Sequence, residues 1–120
     1  MTNTEAVIQV QAFIKSVEND VTTNGYTQHY LRIHEIVVMN AEGIKVSEIN
    51  KEITALIRYG DEHSFPEPIT GLAAGQSLEI KGVYLEKNTI DPIIGSPEDA
   101  VLYYAHRPVG YVVYGGKRYE

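Results

Sequence analysis

The stretch that most restricts this fold is Val101 to Tyr119, which carries five of the nine tyrosines. Tyr111-Val-Val-Tyr114 and Lys117-Arg-Tyr119 are short β-favouring runs on either side of Gly115-Gly116. A Gly-Gly pair between such runs reads as a tight two-residue hairpin, because glycine supplies the positive φ that the turn needs. Pro108 separates this hairpin from the β-branched and aromatic run Val101-Leu-Tyr-Tyr104. Ser96-Pro97-Glu98-Asp99 just before that run also has the form of a helix start, but the residues that follow favour a strand. The expectation is a closing strand and a terminal hairpin of a small β-barrel.

The rest of the chain follows the same period. From Ala6 to Val17, Ile8, Val10, Ala12 and Ile14 share one face, with Gln9, Gln11, Phe13 and Lys15 on the other. Strict alternation of this kind marks a half-buried strand. A turn is expected over 18–25, with Asn24-Gly25 favouring positive φ. Tyr26 to Met39 is a second long strand. Its Leu31 and Ile33 point inward and Tyr30, Arg32 and His34 outward, with a bulge near Glu35 to return Ile36 and Val38 to the core. Asn40–Gly43 reads as a turn, and 44–50 is open between a short strand and a connector.

Glu52 to Tyr59 places Ile53, Ala55 and Ile57 inward and Thr54, Leu56 and Arg58 outward. Pro66 and Pro68 break the loop that follows. Thr70–Gln76 has room for one helical turn ended by Gly75, and Ser77 to Leu85 is a strand interrupted at Gly82, where a bulge or barrel corner is the usual cause. Lys87 to Asp99 reads as a loop. No repeat, low-complexity tract or linker divides residues 1–120, so a single domain is expected.

Strand candidates with almost no helix suit an all-β fold: a small, five-stranded Greek-key barrel that is OB-fold-like, with a terminal hairpin and at most one short helix. A β-sandwich or another small barrel is the alternative. The last third of the chain also resembles an uncharacterised bacterial family of small OB-fold-like domains of unknown function. The matching pieces are Leu72–Gly75, Gly82-Val-Tyr84, Tyr103-Tyr-Ala-His106, Pro108, Gly110-Tyr-Val112 and Gly116-Lys-Arg-Tyr119. Tyr103 stands where the family has the first histidine of a His-Trp-Thr-His-like strand, and this chain contains no tryptophan. The resemblance implies the fold and a bacterial source; the family has no established activity.

Composition narrows the function. Cysteine is absent, which excludes disulfides, thiol nucleophiles and thiolate metal sites. The formal charge of −6 makes the chain acidic and disfavours nucleic acid as a partner, since phosphate binding draws on a basic excess. No apolar run approaches the roughly 18–20 residues that span a bilayer, and the first residues lack the basic and apolar regions of a secretory signal. A soluble, cytoplasmic protein without membrane contact is expected, as monomer or homodimer.

Sites of chemistry are sparse. His29 and His34 are an odd number of residues apart and fall on opposite strand faces. His63 sits in a proline-containing loop and His106 at the end of the closing strand, and no HExxH, G-x-S-x-G or P-loop pattern is present. No metal or cofactor is expected, and an enzyme is the less favoured reading. A hydrolase or metal site around His106 is the second alternative.

The outward face of the first three strands is the better prospect: Gln9, Gln11, Phe13, Tyr30, Arg32, His34, Thr54, Leu56 and Arg58. Phe13 and Tyr30 can stack a ring, while Arg32 and Arg58 can hold an anion. With Tyr103, His106 and Arg107 from the closing strand, these residues suggest a non-catalytic binding module for a small molecule, sugar or protein partner. Single-stranded nucleic acid on the same face is the first alternative.

Overall fold

The computed structural model describes residues 6–23, 26–60, 68–85, 100–103 and 110–119. Its strands are β1 (Ala6–Thr23), β2 (Tyr26–Glu42), β3 (Glu52–Tyr59), β4 (Ser77–Leu85), β5 (Val101–Tyr103), β6 (Tyr111–Tyr114) and β7 (Lys117–Tyr119). A 3₁₀ turn at Val46–Glu48 is the one helical element among the described residues.

Five strands close on themselves in the order β1-β2-β3-β5-β4 and back to β1, and the β6–β7 hairpin extends from β4. Every pairing is antiparallel except β3 with β5, which is parallel. The fold is the expected small all-β barrel of OB-like topology. The terminal hairpin is also as expected, with Gly115 and Gly116 both at positive φ (61° and 80°).

Side-chain parity holds along the barrel. Ile8, Val10, Ala12 and Ile14 of β1 meet Leu31, Ile33, Ile53, Ala55, Ile57, Leu78, Ile80, Leu102 and Val112 in one buried core. The bulge in β2 falls at Glu35, which adopts φ of 52°, between the pairs Phe13–His34 and Gln11–Val37. That extra residue brings Ile36 and Val38 back against the core.

Two boundaries differ from expectation. β1 runs on to Thr23 and β2 to Glu42, through segments that read as turns. There, Val21 pairs with Gln28, Thr22 with Thr27, and Val7 with Glu42. Thr22 and Thr27 also share a hydroxyl hydrogen bond of 3.0 Å. Polar residues that no local pattern marks as strand are held extended by the ladder of the partner strand.

The 70–76 segment also departs from expectation. It forms no helical turn; instead the Gln76 amide donates to the Ala73 carbonyl (3.2 Å) around Gly75 at φ 87°. This segment is pinned to β1 twice, by Ile14 N–H to Gln76 carbonyl and Gly75 N–H to Ile14 carbonyl, both 2.8 Å. Tyr114 of β6 donates its hydroxyl to the Gly71 carbonyl. Ile69 and Leu72 thereby pack against the core.

Candidate functional site

The expected platform divides in two. Its β2–β3 half is covered at the centre: Thr54 and Leu56, expected to face outward, are 1% and 0% exposed. Leu56 and Val101 form a second apolar cluster, and Val21, Tyr30 and Tyr103 pack on it. The cause is topological, because β5 pairs alongside β3 and sets Tyr103 opposite Leu56. Tyr30 and Tyr103 pack on this cluster and stay half-buried. Gln28 is buried in the same half of β2, and its Nε2 has no partner among the described residues.

The cations of this half are engaged as well. Arg32 Nη2 donates to Glu52 Oε1 at 3.0 Å and Nη1 to Thr54 Oγ1 at 3.2 Å. Lys15 Nζ reaches the same Glu52 carboxylate at 3.0 and 3.2 Å. The hydrogen bonds from Lys15 and then Arg32 hold the Glu52 carboxyl below its ordinary 4.5. His34 lies half-buried, with Nε2 3.8 Å from Glu35. Arg58 is half-buried on β3. His63, His106 and Arg107 lie outside the described residues.

His29 belongs to the interior. It is 5% exposed, and its Nε2 accepts the Ile69 amide proton at 3.0 Å. A backbone N–H only donates, so the ring proton sits on Nδ1, which donates to Asp20 Oδ1 at 3.0 Å. The Tyr59 hydroxyl donates to the other oxygen of Asp20, and its ring stacks on His29 with centroids 4.4 Å apart. The bond to Asp20, with burial adding to it, pushes Tyr59 up to about 12. This Asp–His–Tyr group has the membership of a catalytic set, but the nitrogen that would act as base already holds Ile69. It ties the returning segment to the β1–β2 hairpin.

The open half of the platform is on β1. Gln11 pairs with Glu79 of β4, which pairs with Val113 of β6, and Phe13 pairs with Ser77. A groove of about 410 Å³ runs over this row, lined by Gln11, Phe13, Ser77, Glu79, Val113 and the Gly115–Gly116 turn. Phe13 is 43% exposed along its side.

At the groove edge, Glu79 is held by neighbours. Its Oε2 accepts from the Tyr111 hydroxyl and from Gln9 Nε2 (3.4 Å). Burial and then the Glu79 contact push Tyr111 up to about 12. The Arg118 guanidinium lies over the Tyr111 ring, 4.1 Å from its centroid. A smaller recess of about 230 Å³ lies between Ile36 and Val38 of β2 and the 46–51 connection.

Of the expected outward face, Gln11 and Phe13 line this groove. Ser77, Glu79 and Val113 were missed because β4 and β6 reach β1 only by closing the barrel. The signal available was the outward parity of Glu79 on a strand whose Leu78 and Ile80 point in. Among the described residues no group of three or more His, Asp or Glu side chains is placed to hold a metal ion, and no helix is long and apolar enough to cross a membrane. Compared with known proteins, the chain matches no family model, no curated protein and no solved structure.

Proposed function

We propose that this protein is a non-catalytic binding module that takes a small ligand in the groove where β1, β4 and β6 meet. The observation that carries this reading is the pairing of an exposed aromatic ring, Phe13, with a concavity of about 410 Å³. That volume falls within the range of small-molecule sites, and the lining mixes apolar surface with a few polar groups that can fix orientation. Two features support a non-catalytic role. The buried His29 has both ring nitrogens engaged, and among the described residues the groove contains no histidine, serine–base pair or close carboxylate pair.

A phosphate-rich ligand is poorly served here. Glu79 lines the groove, the formal charge is −6, and Arg32 is bound to Glu52. A library of small neutral and charged compounds, followed by amide chemical shifts, tests the reading. Ligand-induced shifts should centre on Gln11, Phe13, Ser77, Glu79 and Val113, and Phe13→Ala should remove them without unfolding the barrel. Shifts that centre on β3 and β5 would place the ligand site elsewhere and end this reading.

A further inference from the structure

We infer that the groove takes a neutral sugar ring, which lies with one C–H face on Phe13 and offers two adjacent hydroxyls to Glu79 and Gln11. The inference rests on the proposed ligand groove and goes further by naming the ligand's chemistry. Three observations carry it.

The first is the state of the Glu79 carboxylate. Both of its donors, Tyr111 and Gln9, land on Oε2. Oε1 takes no hydrogen bond among the described residues, while Glu79 lines the groove. The side chain is therefore positioned in advance by one oxygen and open at the other. A preorganised acceptor of this kind recovers more of a charge-assisted hydrogen bond than a free surface carboxylate, because little rotamer entropy remains to be lost. An incoming hydroxyl is a suitable donor.

The second is the polar complement around it. Gln11 carries both a donor and an acceptor, and Ser77 adds a hydroxyl. Both residues line the groove and are exposed. Adjacent ring hydroxyls are donors and acceptors at once, so an acceptor-only carboxylate beside an amide suits a diol better than it suits a purely donating or purely accepting group. Phe13, paired with Ser77 across the strands, gives the flat apolar surface on which the C–H face of such a ring is buried.

The third is charge. A lone carboxylate next to an aromatic ring would also attract an ammonium group. Here the Glu79 charge is opposed. Lys81 follows two positions along on the same outward face of β4 and pairs with Tyr111, and Arg118 sits 4.1 Å from the Tyr111 ring centroid. The local balance near the groove thus favours an uncharged ligand over a cation, and Glu79 itself disfavours an anion.

The test uses the whole chain and ligand-observed saturation-transfer NMR with three probes: a panel of neutral disaccharides, propylammonium and glucuronate. At least one neutral disaccharide should receive saturation and shift the amides of Gln11 and Ser77 and the ring of Phe13. Its binding should not change with salt, and the two charged probes should be silent. Glu79→Gln should weaken that disaccharide about tenfold to a hundredfold, the scale of one charge-assisted hydrogen bond. Phe13→Ala should abolish its signal, and Phe13→Tyr should keep it. Thermal melts of the three variants within a few degrees of the parent would show that the fold persists. Propylammonium binding at Phe13 and Glu79 with the disaccharides silent would overturn the sugar assignment and leave the ligand groove standing. Disaccharide shifts confined to β3 and β5 would overturn both.

Discussion

Gly82 of β4 faces the carbonyl oxygen of Tyr103 in β5 so closely that a Cβ on Gly82 would sit 2.3 Å from it. Around this glycine the outer edge of β4 changes partner: residues 79–81 pair with β6 and 83–85 with β5. On the opposite edge Gly82 pairs with Ile8 of β1. It is therefore the point at which β4 passes from β6 to β5, and the missing side chain is what lets two backbones meet there.

Gly82→Ala should destabilise the protein by about 1–3 kcal/mol, since neither the β5 backbone nor β4 itself can move aside while both neighbours stay paired. Urea unfolding checks this. A midpoint equal to that of the parent would mean that β5 does not hold the position described.

The buried tie from His29 to Ile69 makes a second prediction. His29→Phe retains the ring against Tyr59 but strands the Ile69 amide and one oxygen of Asp20. A loss of about 1–3 kcal/mol is expected, the cost of leaving a buried donor without a partner. Hydrogen exchange at Ile69 should accelerate in the same variant.

Tyr59 and Tyr111 are both raised from 10.0 to about 12. A raised folded value means that the neutral hydroxyl is favoured in the fold. The stability these groups contribute is present below pH 10 and fades as the pH climbs from 10 toward 12. Tyrosinate absorbance in the ultraviolet should show two late-ionising groups. Asp20→Asn should return Tyr59 toward its ordinary value and leave Tyr111 in place.

Glu52 titrates in the opposite sense. Its carboxyl is held below 4.5 by Lys15 first and then by Arg32. The associated stability is present above the ordinary value and lost as the pH falls through the depressed one. Carbon-detected NMR should show the Glu52 midpoint moving up in Lys15→Met and again in Arg32→Met. Because the pair is solvent-exposed, salt should produce part of the same change.

Leu56 and Phe13 form a contrasting pair. Both fall at outward positions by alternation, yet Leu56 is 0% exposed and Phe13 43%. Leu56→Ala should cost about 2–4 kcal/mol through the cavity left under Tyr30 and Val101. Phe13→Ala should stay within about 0.5 kcal/mol. Equal costs would contradict the division of the outer face.

Leu56 also marks the boundary between what could and could not be read in the chain. The inward set Ile8, Val10, Ile14, Leu31, Ile33, Ile53 and Ile57 was legible because a strand's period of two is a local property of the backbone. The Glu35 bulge was legible for the same reason, since the phase of the alternation changes there. The Gly115–Gly116 hairpin was legible because its turn chemistry is carried by two adjacent residues.

By itself, then, the sequence determined an all-β barrel, its core face and its terminal hairpin. Only the tertiary structure decided which outward side chains stay open. β5 covers Leu56, and β4 and β6 complete a groove beside Phe13. It also decided that Asp20, His29, Tyr59 and Ile69 converge. These outcomes depend on pairings between segments far apart in the chain, whose geometry is set by barrel closure and leaves no periodic trace in any one of them.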